Sequence, residues 1–299
     1  KENLFVNQTA SNPSQTVPTD ITRFGSGKSV HRLEDQQLLL GAGVYANDVS
    51  LPAQSHLVFL RSPYPHANIT RLDTTAAQAM PGVLAVVSGQ DLKAAGVKPM
   101  ARAMNFKRAD GSPLSSTTRH ILATEKVRFV GEPIVAVVAT TEVIARNAIE
   151  AIEIEFDALP CVTTLADALA NNAPLLTEAP DNRVAETRYG DVQATQAAFD
   201  QAAHVVHLDI VNQRVAALSI EPRSVLAYPE QGRLHIRMSS QMPTGVRGTV
   251  SDLLGIDKEK IRVIVGDVGG GFGMKTGAYA EDVVTAYCAH TLQRPVKWI

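Results

Sequence analysis

The stretch "VGDVGGGFGMKTG", residues 265–277, places four glycines within the five positions 269–273 and follows them with Lys275. A chain carrying it must deliver a strand into a loop almost bare of side chains and leave that loop as a helix. The β-prone run "IRVIV" precedes the loop. "GAYAEDVVTAYCAHTL" follows it, with Val283, Val284, Tyr287 and Cys288 at helical spacing. Backbone N–H groups without side chains, at the head of a helix, suit an anionic or oxo ligand. The competing reading is a tight strand-to-helix turn without a ligand, for which three consecutive glycines carry a large entropic cost. Both nucleotide patterns fail. Counted from Gly269, the third glycine of GxGxxG falls on Met274, and Met274 also separates Gly273 from Lys275 where GxxxxGK needs them adjacent. The "GKS" within "RFGSGKSV" fails as well: Thr22 stands where the phosphate loop needs glycine, and no apolar strand precedes it.

The remaining composition excludes several classes. With 299 residues, 45% of them hydrophobic, and a formal net charge of −2, the chain suits about two globular domains. No lysine/arginine cluster marks a nucleic-acid surface. No apolar run approaches the roughly 18 residues that span a bilayer, and "PIVAVVA" (133–139) has the length of a buried strand. Cys161 and Cys288 are far apart and form no CxxC pair, so both are expected to be reduced and buried, without a disulfide framework or zinc site.

Residues 1–22 read as a flexible polar tail without the apolar core of a signal peptide. Residues 23–165 mix strands and helices without regular βαβ alternation, which makes an α+β domain. Strands are expected at "SHLVFLRSP", "ANITRLD", "LAVVSG" and on both sides of Gly131–Pro133. A helix with Val143, Ile144, Ala148, Ile149 and Ile152 on its apolar face runs into a strand through Ile154 and Phe156. Residues 166–190 are a punctuated linker. Residues 191–299 open a second domain: a helix capped by Asp191, a long strand over 204–218, a hairpin turning at Pro229–Gly232, a helix closed by Gly255, and the strand that delivers the glycine loop. His204 and His207 lie three apart on that strand, hence on opposite faces, and are read as structural, as is His66.

At this point the motifs resemble a known family. "DVGGGFGMK" resembles the first molybdenum-cofactor loop in the catalytic large subunit of the xanthine dehydrogenase/aldehyde oxidase family of molybdenum hydroxylases. "GKSVHRLEDQQLLLGAGVYANDV", "LRSPYPHANI", "PGVLAVVSGQDL", "RFVGEPIVAVVA" and "IEFDALP" are similar to its first domain, and "IEPRSVLA", "SSQMP" and "RPVKW" to its cofactor-binding domain. The resemblance implies an α/β hammerhead-like domain followed by the first part of a molybdenum-cofactor-binding α+β domain, incomplete at its C-terminal end. It implies a molybdenum–molybdopterin cofactor, in a cytosine dinucleotide form, bound without direct protein ligation of the metal.

By that resemblance Gln241 lies beside the metal's oxo or sulfido ligand, and Gly271, Phe272 and Gly273 set backbone amides against the oxo group. Gly270, with Gly269, assists the approach. Phe272 is equally readable as a core aromatic. Lys275 is readable either as a phosphate anchor or as a solvated charge beyond the loop, and Glu221 and Arg223 as a structural ion pair or cap. Purine-oxidising members carry glutamate where Thr276 stands, so the pattern is closer to carbon monoxide dehydrogenase-like enzymes and to aldehyde or N-heterocycle hydroxylases.

The implied reaction hydroxylates a small molecule's electron-poor carbon with water. A glutamate general base is expected beyond residue 299, so no catalytic residue is assigned here. Electrons are expected to leave through [2Fe–2S] clusters and FAD on partner subunits, or to another acceptor, because two cysteines cannot hold such clusters. The remaining molybdopterin-binding domain, continuous or a split subunit, is a further expected partner. The cytoplasm is the expected compartment, with the periplasm as the alternative. A non-catalytic scaffold that docks partner subunits is the competing function. Residue 1 is Lys, and "RPVKWI" at 294–299 reads as the middle of a strand, so the chain is expected to be a piece of a longer polypeptide, inactive alone. Mass spectrometry of the intact native protein is expected to exceed the mass of these 299 residues; a match to them would reject this.

Overall fold

The structure, a computed structural model, describes residues 32–100, 106–108, 110–113, 118–175, 181–187, 189–213 and 215–299. The tail at 1–22 and the "GKS" motif at 27–29 both lie outside the described residues. Residues 32–43 form one unit, in which the short helix α1 (Asp35–Leu39) follows an Arg32–Asp35 ion pair.

From Val44 onward the chain builds β1 (Ser55–Arg61), β2 (Ala67–Asp73), α2 (Thr75–Gln78), β3 (Val83–Ser88) and α3 (Gly89–Ala94). Next come β4 (Lys126–Val127), β5 (Pro133–Ala139), α4 (Glu142–Glu150), β6 (Glu153–Ala158) and α5 (Leu165–Leu169). The last part holds α6 (Val192–Gln201), β7 (Val225–Glu230), β8 (Arg233–Met238), α7 (Pro243–Leu254), β9 (Ile261–Ile264), α8 (Ala280–Leu292) and β10 (Val296–Trp298). A seven-stranded mixed sheet runs in the order β3-β5-β1-β10-β7-β8-β9, and a three-stranded antiparallel sheet in the order β4-β2-β6. The fold is α+β, as the sequence implies.

The physical centre of the large sheet is β5, buried along its whole length. Ala136 and Val138 enter the core that holds Leu57, Phe59 and the side chains of β7, β8, α7 and α8. Val135, Val137 and Ala139 enter the opposite core, with Ala145 and Ala148 of α4 and Val127 of β4. Burial on both faces is why "PIVAVVA" is continuously apolar rather than alternating. The short β10 joins the two halves of the sheet: Ser55 of β1 pairs with Val296 in parallel, and Val296 pairs with Ala227 of β7 antiparallel.

Several local expectations change. α3 falls where no helix was read; Ser88 accepts from the Asp91 N–H while Asp91 accepts from the Ser88 N–H, a reciprocal cap that starts it. Val143 is exposed on α4, whose buried residues are Ala145 and Ala148. The expected strand over 204–218 is not formed by its described residues, 204–213 and 215–218, which carry no strand and no ladder partner among the described residues. Cys161 is exposed, whereas Cys288 is buried on α8 and burial pushes its thiol up to about 12. His66 is structural, its Nδ1 set 2.7 Å from the Pro160 carbonyl. Gly255 closes α7 in the left-handed conformation, as read.

Because Ile134 has no exposed surface and packs in the second core, Ile134→Ala is expected to cost about 2–5 kcal/mol and Ile134→Val about 1 kcal/mol. Val143→Ala on the open face of α4 is expected to stay within about 0.5 kcal/mol. Urea unfolding of the native protein measures all three; equal losses at both sites would contradict this core assignment.

Candidate cofactor-binding site

The sheet register assembles the site. Val225 at the start of β7 pairs with Met238 at the end of β8, so the residues before β7 and those after β8 share one end of the sheet. β9 runs parallel to β8, so its C-terminal end delivers the glycine loop to the same place. Glu221, the Ser239–Gln241 segment and the loop therefore meet there, with α7 and α8 beginning beside them.

The centre of this meeting is a buried ion pair. The Lys275 side chain is wholly buried and the Glu221 side chain nearly so. Lys275 Nζ donates to Glu221 Oε2 at 3.0 Å and to the Glu221 carbonyl at 2.9 Å. Glu221 Oε2 also accepts from Ser239 Oγ at 2.6 Å and from the Gly269 N–H at 2.8 Å. Burial alone would push the Glu221 carboxyl up. The three donors and the Lys275 charge outweigh burial and hold it below the ordinary glutamate range. Lys275 is thus neither a phosphate anchor nor a solvated charge. Glu221 and Arg223 are ion-paired, but not to each other: Arg223 pairs with Glu281, which also holds Arg61, and stacks over the Tyr279 ring.

Gln241 is the second clamp. Its N–H donates to the Lys275 carbonyl at 2.8 Å. Its Oε1 accepts from the N–H groups of Gly273 at 3.1 Å and Lys275 at 3.3 Å. Those two donors fix which end of the amide faces the loop and turn Nε2 away from it. Among the described residues Nε2 has no hydrogen-bond acceptor.

The glycines answer to these clamps. A Cβ on Gly269 would lie 2.5 Å from Glu221 Cβ, and one on Gly271 would lie 2.4 Å from Gln241 Oε1. Both glycines are required by close approach to the protein's own side chains. The loop's outward surface is what remains for a ligand. No acceptor among the described residues takes the N–H groups of Gly270, Gly271 or Phe272. Phe272 itself is held at φ 49° and is 74% exposed, so it is no core aromatic. A non-glycine residue in that region is strained, by about 1–3 kcal/mol. Thr276 Oγ1 donates to the Gly273 carbonyl, which closes the loop behind it.

The sequence-predicted residues Gln241, Gly270, Gly271, Phe272 and Gly273 are thus brought to one place. Sequence reasoning missed the Glu221–Lys275 pair and Ser239; the signal available was the polar "SSQ" directly after an apolar strand. At the start of α8 the Asp282 carboxyl is wholly buried. Burial pushes it up to about 7, against the Tyr279 N–H that it accepts. Among the described residues no group of three or more His, Cys, Asp or Glu side chains is placed to hold a metal ion. Main-chain donors and one amide without acceptors among the described residues thus lie over a core held by the Glu221–Lys275 pair.

Comparison with known proteins gives the family. The aldehyde oxidase and xanthine dehydrogenase a/b hammerhead domain matches residues 40–160, and the molybdopterin cofactor-binding domain matches residues 175–299. Carrying both in this order, the chain belongs to the xanthine dehydrogenase/aldehyde oxidase family, as part of its molybdopterin-binding large subunit. It is 37% identical over 294 residues to the nicotine 6-hydroxylase large subunit of Paenarthrobacter nicotinovorans, covering 96% of this chain and 35% of that one. Against the carbon monoxide dehydrogenase large chain of Hydrogenophaga pseudoflava the identity is 34%, over 89% of this chain and 34% of that one. The solved structure of quinoline 2-oxidoreductase from Pseudomonas putida 86 superposes with a TM-score of 0.78 at 34% identity, over 91% of this chain and 34% of that one. The chain spans about a third of the length of these relatives.

Removing the cation tests the buried pair. Lys275→Met strands a buried carboxylate and is expected to cost about 3–5 kcal/mol. Lys275→Met combined with Glu221→Gln is expected to recover part of that. The pH dependence has a definite sign: a depressed carboxylate stabilises above its unfolded pKa, and that contribution is lost as pH falls through the folded value. Below about pH 4 the native protein is expected to lose stability more steeply than Glu221→Gln does. Unfolding curves across pH 2–7 that are parallel for the two proteins would contradict this.

Proposed function

We propose that this chain is the cofactor-contacting part of a molybdenum hydroxylase that adds oxygen from water to an electron-poor carbon of an aldehyde or N-heterocycle. The observation that carries the reading is the outward face formed by Gln241 Nε2 and the N–H groups of Gly270, Gly271 and Phe272, none of them paired among the described residues. A molybdenum–molybdopterin cofactor, in a cytosine dinucleotide form, would supply the oxygen-transfer and redox chemistry when bound. Gln241 Nε2 donates to the cofactor's face, and the loop N–H groups orient it. Glu221 and Lys275 keep those donors aimed without reorganisation when the cofactor binds.

Electrons pass to [2Fe–2S] and FAD partner subunits. The names of similar proteins support a multisubunit setting: a nicotine 6-hydroxylase large subunit and a carbon monoxide dehydrogenase large chain. Among the described residues no helix is long and apolar enough to cross a membrane. The general base lies outside this chain, so the 299 residues alone are expected not to turn over. The scaffold reading has one clear discriminator, because a scaffold needs no bound molybdenum.

Metal and pterin analysis of the native complex is expected to give about one molybdenum and one pterin per chain, as a dedicated cofactor domain requires. Gln241→Leu is expected to lower kcat toward a responsive aldehyde or N-heterocycle by roughly 10- to 100-fold. A native complex free of molybdenum, or a Gln241→Leu enzyme with unchanged kcat, would contradict the reading.

A further inference from the structure

A helix and the segment after it share an apolar face that the described residues leave open. α6 has no buried residue. A shallow, mostly apolar trough lined by Ala194, Thr195, Ala198, Phe199 and Ala202, with Asp191 at its N-terminal end, runs along it. Those positions recur three and four apart, the spacing of one stripe on a helix. Residues 204–213 follow without helix or strand, and none of their main-chain groups bonds to another backbone group among the described residues. Val206, Leu208 and Ile210 are 89%, 75% and 79% exposed. His207 and Asp209 alternate with them and approach to 3.6 Å. Residues two apart share one face of a strand, so in strand form 206–210 would set Val206, Leu208 and Ile210 on one face and His207 and Asp209 on the other. A stable surface seldom leaves such a stretch uncovered, because an open apolar edge recruits another chain.

We infer that residues 192–213 are a helix–strand arm that adds its strand to a sheet edge in the remainder of the molybdopterin-binding subunit. The inference rests on the proposed function, in that such a subunit has that remainder. Two observations favour this occupant. The arm lies within the region that matches the molybdopterin cofactor-binding domain, residues 175–299. The similar large chains are covered over only 34–35% of their length, so most of each lies outside the matched part. A second copy of this chain is a poorer fit. It would contribute only the same helix and strand, and an isolated two-stranded pairing is marginal in water. Strand addition supplies main-chain hydrogen bonds along 204–213, and alternate pockets take Val206, Leu208 and Ile210. The stripe on α6 then packs across the sheet that the arm has joined.

Hydrogen exchange on the native complex, read by mass spectrometry over residues 204–213, tests the arm directly. These amides are expected to exchange roughly a thousandfold more slowly than unpaired amides of the same sequence. Exchange at the unpaired rate would overturn the inference. The occupant is identified by replacing Leu208 with a photo-crosslinking phenylalanine analogue in the same complex. Crosslinks to the remainder of the molybdopterin-binding subunit are expected, whether it is continuous with this chain or separate. Crosslinks to a second copy, or to an iron–sulfur or flavin subunit, would overturn it. Should the replacement prevent assembly, the exchange measurement on the unaltered complex still decides. The two readings fail separately: slow exchange without molybdenum refutes the proposed function alone, whereas a molybdenum-loaded complex with fast exchange refutes the arm alone.

Discussion

A single buried ion pair organises this end of the molecule. Glu221 stands before β7 and Lys275 after β9, 54 residues apart, yet their side chains meet out of solvent. A buried charge pair persists only where its remaining lone pairs and protons are satisfied. Here Ser239 Oγ and the Gly269 N–H complete the carboxylate, and the Glu221 carbonyl takes a second ammonium proton. The pair ties three segments: the entry to β7, the exit from β8 and the glycine loop. Breaking it would release all three.

The rest of the site follows from that lock. With Lys275 fixed, its main chain brackets Gln241, accepting from the Gln241 N–H and donating to Gln241 Oε1. Gln241 is then held by its oxygen with its amide N–H₂ outward. Gly269 and Gly271 are small because Glu221 and Gln241 fill the space their side chains would need. The unpaired N–H groups of the loop consequently point away from the protein's own acceptors. A rigid inner layer of charge supports an outer layer of free donors, which is how a preorganised binding surface is built.

The fold was legible where burial leaves a pattern in the residues themselves. "PIVAVVA" is apolar throughout because β5 is covered on both faces, and Gly255 and Asp191 mark a helix end and a helix start by local chemistry. The loop residues were legible as a group because their order is distinctive. The Glu221–Lys275 pair was not, because no local spacing connects residues 54 apart; only the sheet register brings them together. Residues 204–218 show the converse. Their apolar alternation is that of a strand, but a ladder needs a partner, and the described residues supply none. Sequence pattern reports a segment's preference, and pairing depends on what else is present.

In the proposed function Gln241 and the Gly270–Phe272 main chain form one cofactor-facing surface locked by Glu221 and Lys275. A crystal structure of the native, molybdenum-loaded complex tests it most directly. Cofactor atoms are expected within about 3.2 Å of Gln241 Nε2 and of at least one N–H among Gly270, Gly271 and Phe272, with Lys275 still buried on Glu221. A cofactor seated elsewhere, with those donors facing solvent or bonded to other protein groups, would contradict it.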